Sequence, residues 1–359
     1  MARDIDGRHT THKGRGTGLN PANRYHAQHI IAVDDGWEAQ VPPSRLTEVR
    51  EEQARRIISR NRSPDVPFEQ SINPYRGCEH GCVYCFARPS HAYWDLSPGI
   101  DFETRLIAKP NAVARLEQEL SHPGYVCKPI AMGTNTDPYQ PLESERRITR
   151  GLLDVMLRYR HPVTIETKGA LILRDVDILS ELAYFNLVRV SISMTTLDSE
   201  LKRRLEPRAA SGEARLRVIR QLREAGVPVD VLCAPVIPGL NDHELERMLA
   251  ASAEAGAQGA GWVMLRLPLE LVELFEDWLR ENYPLKADHV LSLVKQTRNG
   301  QMYDADFSQR MRGSGVFADL VAQRFRLALK RHGLEGRQRP PLDCSQFAPP
   351  GQQMGLFSE

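Results

Sequence analysis

Long apolar runs are missing from this 359-residue sequence: none approaches the roughly 18 residues that a membrane span requires. A charge bias is missing as well. Lys plus Arg number 47 against 46 Asp plus Glu, so bulk charge names no partner. Aromatic residues make up only 7%, yet 41% hydrophobic and 26% charged residues form an ordinary globular composition, which excludes wholesale disorder. No internal repeat is present, which excludes a solenoid or propeller. The first residues are polar and carry no apolar signal-like segment, so a cytoplasmic location is the expectation. Cysteine is scarce, at six residues. In a reducing compartment, clustered cysteines bind metal more often than they form disulfides.

Three of those six fall within eight positions, Cys78, Cys82 and Cys85, in the stretch Ile72-Asn-Pro-Tyr-Arg-Gly-Cys-Glu-His-Gly-Cys-Val-Tyr-Cys-Phe86. The spacing C-x3-C-x2-C lets one tight loop aim three thiolates at a single metal centre. A closed structural zinc or iron–sulfur site normally takes four protein ligands, whereas three leave one position open for chemistry. Gly77 and Gly81 adjoin the first two cysteines, where a wrapping loop needs positive φ or close backbone approach.

Residues 1 to 62 read as a partly irregular N-terminal extension with a charged helical piece near Glu48 to Arg60. From residue 63 to 268 a strand–helix alternation follows. Short β-branched runs at Lys128–Gly133, Val163–Thr167, Leu187–Ser193, Val229–Val236 and Trp262–Leu265 suit strands buried on both faces. Between them, Ile148, Leu152, Val155, Met156 and Tyr159 share one helical face, as do Val218, Ile219, Leu222 and Ala225, with Gly226 at the helix end. Asn241-Asp-His-Glu244 reads as a capping box. Counting the segment that leads into the cysteine loop, there are six strand–helix units. They predict an α/β fold with a parallel sheet and right-handed crossovers, best fitted by an incomplete (β/α)6 TIM-type barrel. Helices near Leu269–Leu279, Ala287–Gln296 and Val316–Arg331 form a C-terminal segment, 269–335, expected to cover the barrel. A flexible Pro- and Gly-rich tail follows at 336–359.

The cysteine motif, with Tyr84 just before its last cysteine, resembles the signature of the radical S-adenosylmethionine (SAM) superfamily, and the surrounding residues resemble its spore photoproduct lyase-like branch. The resemblance covers roughly residues 66 to 330. It implies a [4Fe–4S] cluster on Cys78, Cys82 and Cys85, with SAM bound at the fourth iron. It also implies reductive cleavage of SAM to a 5′-deoxyadenosyl radical that abstracts hydrogen from a substrate, and a flavodoxin- or ferredoxin-type reducing partner. In barrel folds such sites lie at the C-terminal strand ends. Matched there, Thr134, Thr136 and Asp137 would meet the methionyl amino end, and Lys168 the carboxylate or ribose. Ser191 or Ser193 would bond the ribose or carboxylate, Pro235 would lie against adenine, and Arg208, in Glu206-Pro207-Arg208, would stand at the pocket rim. The cysteine that returns hydrogen to the product radical in spore photoproduct lyase has no counterpart in Gly133-Thr-Asn-Thr-Asp137. Cys127 belongs at the strand's start and Cys233 reads as core, so the substrate does not transfer.

A DNA repair-like reaction on nucleic acid is the first expectation. The same chemistry on a peptide or small molecule, and a metal-stabilised nucleic-acid-binding protein without turnover, are the alternatives. Segment Arg310–Arg339 carries an excess of six positive charges, with Arg310, Arg312, Arg324, Arg326, Lys330, Arg331, Arg337 and Arg339 against Asp319 and Glu335, of the kind phosphate-backbone binding uses. Near the end, Gln353, Met354, Leu356 and Phe357 resemble the pentapeptide by which bacterial replication and repair proteins dock on the sliding clamp, a peptide-in-groove mode.

Overall fold

Six parallel strands follow one another in sequence order across one sheet. The computed structural model describes residues 14–25, 46–335 and 340–350. The clamp-like residues Gln353, Met354, Leu356 and Phe357, and Arg337 and Arg339, lie outside the described residues. The strands are β1 (Glu48–Glu51), β2 (Ser59–Arg60), β3 (Gln70–Ile72), β4 (Tyr75–Arg76), β5 (Arg105–Ala108), β6 (Ile130–Met132), β7 (Val163–Thr167), β8 (Val188–Met194), β9 (Val229–Val236) and β10 (Ala260–Met264). The larger sheet runs β10-β9-β8-β7-β6-β3-β2, parallel throughout except for the β2–β3 pair. No ladder joins β10 to β3 among the described residues, as an incomplete six-unit barrel requires.

Burial alternates along the strands, as the pleat demands. Val163 and Ile165 of β7 and Val188, Val190 and Ile192 of β8 pack with Leu152, Leu153, Leu179, Leu182, Val218, Ile219 and Leu222 of the surrounding helices. The opposite faces of these strands contribute Glu166 and Ser193 to an interior cavity. Burying an apolar face stabilises by roughly 25 cal/mol for each Å² removed from water, so this pattern sets the register.

Two expectations are corrected. The charged piece at 48–60 is not helical: β1 pairs in parallel with β5, and β2 pairs antiparallel with β3. Long-range strand pairing overrides the local helical preference of its Glu and Arg residues. The capping box does not form either. The Asn241 side chain accepts from Ile237 N at 2.6 Å and donates to Thr195 O and Pro235 O. Glu244 accepts from Thr196 Oγ1 and Leu197 N. Both side chains satisfy buried loop groups instead of a helix end.

The C-terminal helices do different work. Leu271–Asn282 and Ala287–Gln296 share an apolar core with Cys82, Val83 and Tyr84. Gly315–His332 packs on β9, β10 and helix Leu245–Glu254 through Val321, Phe325 and Ala328. No helix among the described residues is long and apolar enough to cross a membrane.

Candidate active site

The loop bearing Cys78, Cys82 and Cys85 leaves β4 and closes over the C-terminal ends of the parallel strands. Gly77 and Gly81 sit at φ +72 and +66, and a Cβ on Gly81 would stand 2.6 Å from Glu103 Oε2. Gln140 braces the loop, accepting from Glu79 N at 2.9 Å and donating to Gly77 O. Behind it the fully buried Arg88 donates to Cys82 O at 2.9 Å and pairs with Glu103 at 2.5 Å. Glu103 in turn accepts from Gly16 N at 2.9 Å, so the segment 14–25 lies as a strap across the loop.

All three thiols line one cavity of about 520 Å³. Burial pushes each of them up, so they need a positive centre to exist as thiolates. An all-sulfur donor set suits an iron–sulfur cluster. Among the described residues no three Cys, His, Asp or Glu side chains converge as a single-ion site.

Most of the expected site residues line the same cavity: Tyr84, Thr134, Thr136, Asp137, Lys168, Ser193 and Pro235. Asp137 is the hub. It accepts from Thr167 Oγ1 at 2.6 Å and Lys168 N at 2.7 Å, and His80 Nδ1 stands 3.3 Å away. Burial works against ionisation of its carboxyl, but His80 and these donors outweigh burial and hold it down at about 2. Lys168 Nζ donates to Ser193 Oγ at 2.5 Å and stands 5.8 Å from the Tyr84 ring centre. Thr134 Oγ1 accepts from Asn73, and the Thr136 hydroxyl donates to Tyr75 O, so both hydroxyls hold the turn in place.

Two expected residues stand elsewhere. Ser191 shares the inner face of β8 with Ser193 but lies one pleat nearer the strand's start and does not reach the cavity. Arg208 pairs with Glu79 at 3.1 Å and donates its backbone N–H to His80 O, bracing the outside of the cysteine loop. Its neighbour Glu206 has the inward role. Fully buried, it accepts from Tyr84 OH and Thr195 Oγ1 and pairs with buried Arg215. Burial opposes its charge, yet Arg215 and Lys168 hold it down at about 2.

Three of the six described cations of the basic C-terminal segment are engaged within the chain, and Arg326, Lys330 and Arg331 stand exposed on helix Gly315–His332. Arg310 grips Asp65, Arg312 donates to Trp262 O, and Arg324 pairs with Glu246 and Asp242. Sequence reasoning passed over several polar cavity residues, Ser71, Asn73, His80, Glu166 and Arg266 among them. His80 was visible as one of two polar residues, with Glu79, between Cys78 and Cys82. Glu166 lies two residues before Lys168 on the same strand face, and burial raises its carboxyl. Arg266 follows the end of the sixth parallel strand.

Comparison with known proteins agrees with this geometry. The model of the radical SAM superfamily matches residues 72–251. The chain belongs to that superfamily, whose enzymes use a [4Fe–4S] cluster and SAM. Uncharacterized proteins of Mycobacterium tuberculosis and Mycobacterium bovis are 39% identical over 221 residues, 61% of this chain and 65% of theirs, so the match spans just under two thirds of those relatives. An uncharacterized protein of Methanocaldococcus jannaschii is 26% identical over 231 residues, 64% of this chain and 82% of that one. Among solved structures, spore photoproduct lyase superposes with a TM-score of 0.53 at 14% identity, covering 79% of each chain. A form of that enzyme with bound AdoMet and dinucleoside spore photoproduct gives 0.53 at 13%, also over 79% of each chain. At such identities the likeness is one of fold.

Proposed function

We propose that this chain is a radical SAM enzyme acting on nucleic acid, with Cys78, Cys82 and Cys85 as the ligands of its [4Fe–4S] cluster. The single observation that carries the reading is the convergence of three thiols, Asp137, Lys168 and Ser193 on one cavity at the ends of parallel strands. When bound, the cluster and SAM supply a 5′-deoxyadenosyl radical able to take hydrogen from an unactivated carbon. The chain's own residues bind and orient. Thr134, Thr136 and Asp137 form the turn that faces the methionyl amino end. Lys168, held by Ser193, offers a cation to the methionyl carboxylate or ribose, and Pro235 gives adenine an apolar wall. Tyr84, buried within the loop, donates its hydroxyl to Glu206, which Arg215 pairs from the other side. A flavodoxin- or ferredoxin-type donor in the cytoplasm would supply the electron.

The nucleic-acid reading draws support from the fold shared with spore photoproduct lyase, which has been solved with a dinucleoside photoproduct. With no cysteine at Gly133–Asp137, product-radical quenching must differ, and a repair-like reaction on another lesion or modified nucleotide fits better. The test is anaerobic reconstitution of the full chain with iron and sulfide, reduction, and assay of 5′-deoxyadenosine with and without damaged oligonucleotides. Four irons per chain and 5′-deoxyadenosine are expected. Zinc in place of iron, or no SAM cleavage, would sink the proposal.

A further inference from the structure

Apart from Lys168, the cations of the cavity wall are Arg266 and Arg310, and they are in opposite states. Arg310 is satisfied: its Nε and Nη2 grip both carboxylate oxygens of Asp65. Arg266 is not. Its Nη1 reaches only the thioether sulfur of Met311 at 3.4 Å, and its buried Nε has no partner. No carboxylate among the described residues lies within ion-pair distance of it: Asp65, whose charge it feels, is held by Arg310. A guanidinium carries five donors and is always charged, and sulfur is a weak acceptor. Native structures seldom leave such a group unsatisfied in a wall without a reason. The guanidinium lies over the Phe86 ring at 4.9 Å from its centre, the residue that directly follows Cys85. Phe86 keeps 46% of its surface exposed. The cavity therefore offers, in one place, a cation lacking an acceptor and an aromatic ring that is only half covered.

We propose that Arg266 and Phe86 form a nucleotide subsite in which the guanidinium receives a substrate phosphate and the ring takes an adjoining base. Arginine matches phosphate through paired N–H donors, and ring stacking accepts any base. The proposal rests on the nucleic-acid reading above and names residues that carry it. The position suits substrate, because Lys168 is the cation beside Asp137 and Ser193, whereas Arg266, two residues past β10, stands over Phe86. The shared anion chemistry admits one other source, the SAM carboxylate, and the test separates the two.

The cluster-loaded full chain is titrated anaerobically with a fluorescein-labelled eight-nucleotide oligothymidylate and, separately, with radiolabelled SAM by equilibrium dialysis. Arg266→Gln should weaken oligonucleotide binding about tenfold and lower the salt slope by about 0.7, the contribution of one single-strand phosphate. Arg266→Lys should recover only part of the loss, because ammonium is a point charge. Phe86→Ala should weaken binding while leaving the salt slope as it is. SAM affinity should change less than twofold. The subsite is overturned if the oligonucleotide does not bind the native chain, if Arg266→Gln binds it as the native chain does, or if the loss falls on SAM instead. A melting temperature lowered by more than about 5 °C in Arg266→Gln would make the arginine structural, and that also overturns the proposal. Absence of 5′-deoxyadenosine from the native enzyme would sink the radical reading alone, because the titrations stand without turnover.

Discussion

A Cβ on Gly16 would stand 1.7 Å from the carbonyl oxygen of Gly81, inside the cysteine loop. The strap 14–25 is therefore fitted to the loop at atomic contact, and only glycine allows the approach. Gly16→Val must lift the strap and free Gly16 N from Glu103. It is expected to cost about 1–3 kcal/mol in denaturant unfolding and to raise amide exchange over residues 16–23. Native-like exchange there would show that the strap is not latched by this contact.

Glu206 ties Tyr84 to Arg215. Glu206→Gln leaves Arg215 charged and buried, which is expected to cost about 3–5 kcal/mol. Tyr84→Phe removes one donor to a carboxylate that keeps Thr195 and Arg215, and should cost only about 1–3 kcal/mol. Urea melts of the two variants should fall in that order; the reverse order would mean that the hydroxyl, and not the ion pair, holds the loop.

Acid should unfold the protein in two stages. Burial lowers His91 and His161 to about 4, so between about 6.5 and 4 the unfolded chain binds protons that the folded chain excludes, and stability falls as pH falls. Asp137 and Glu206, held down at about 2, stay ionised where the unfolded chain takes a proton, and their contribution is lost from about 4.5 down to 2. Melting temperature measured from pH 8 to pH 3 should decline first through the histidine window. His161→Gln should flatten that first limb, and an unchanged limb would remove His161 from the account.

Clamp docking is tested by peptide displacement. If Gln353, Met354, Leu356 and Phe357 dock on the sliding clamp, a Leu356→Ala/Phe357→Ala chain should lose binding to purified clamp at least tenfold, whereas equal binding would refute it.

Much of the fold was legible because buried parallel strands advertise themselves. Val163–Thr167 and Val229–Val236 were bounded to the residue by β-branched runs, and Ala287–Gln296 by its helical stripe. The strand-end rule placed Asp137, Lys168 and Ser193 on one cavity. It did not separate Ser193 from Ser191, because a period of two puts both on one face and only depth distinguishes them. Arg208 stands outside the cavity, held by Glu79, a partner in a loop far away in sequence. β1 and the strap escaped for the same reason: their partners sit many residues away, and no local pattern encodes that contact. Arg266 obeyed the strand-end rule and was legible, but the apolar run ending at Leu265 stopped the reading one residue short.

The cysteine loop rests on a floor built from the other end of the molecule. Cys82, Val83 and Tyr84 pack with Leu271, Phe275, Trp278, Val290 and Val294. On the ribosome the loop is made first and its floor arrives much later, after every strand of the barrel has emerged. The three thiols therefore meet their apolar floor only once the barrel strands and the two helices that follow them have been made.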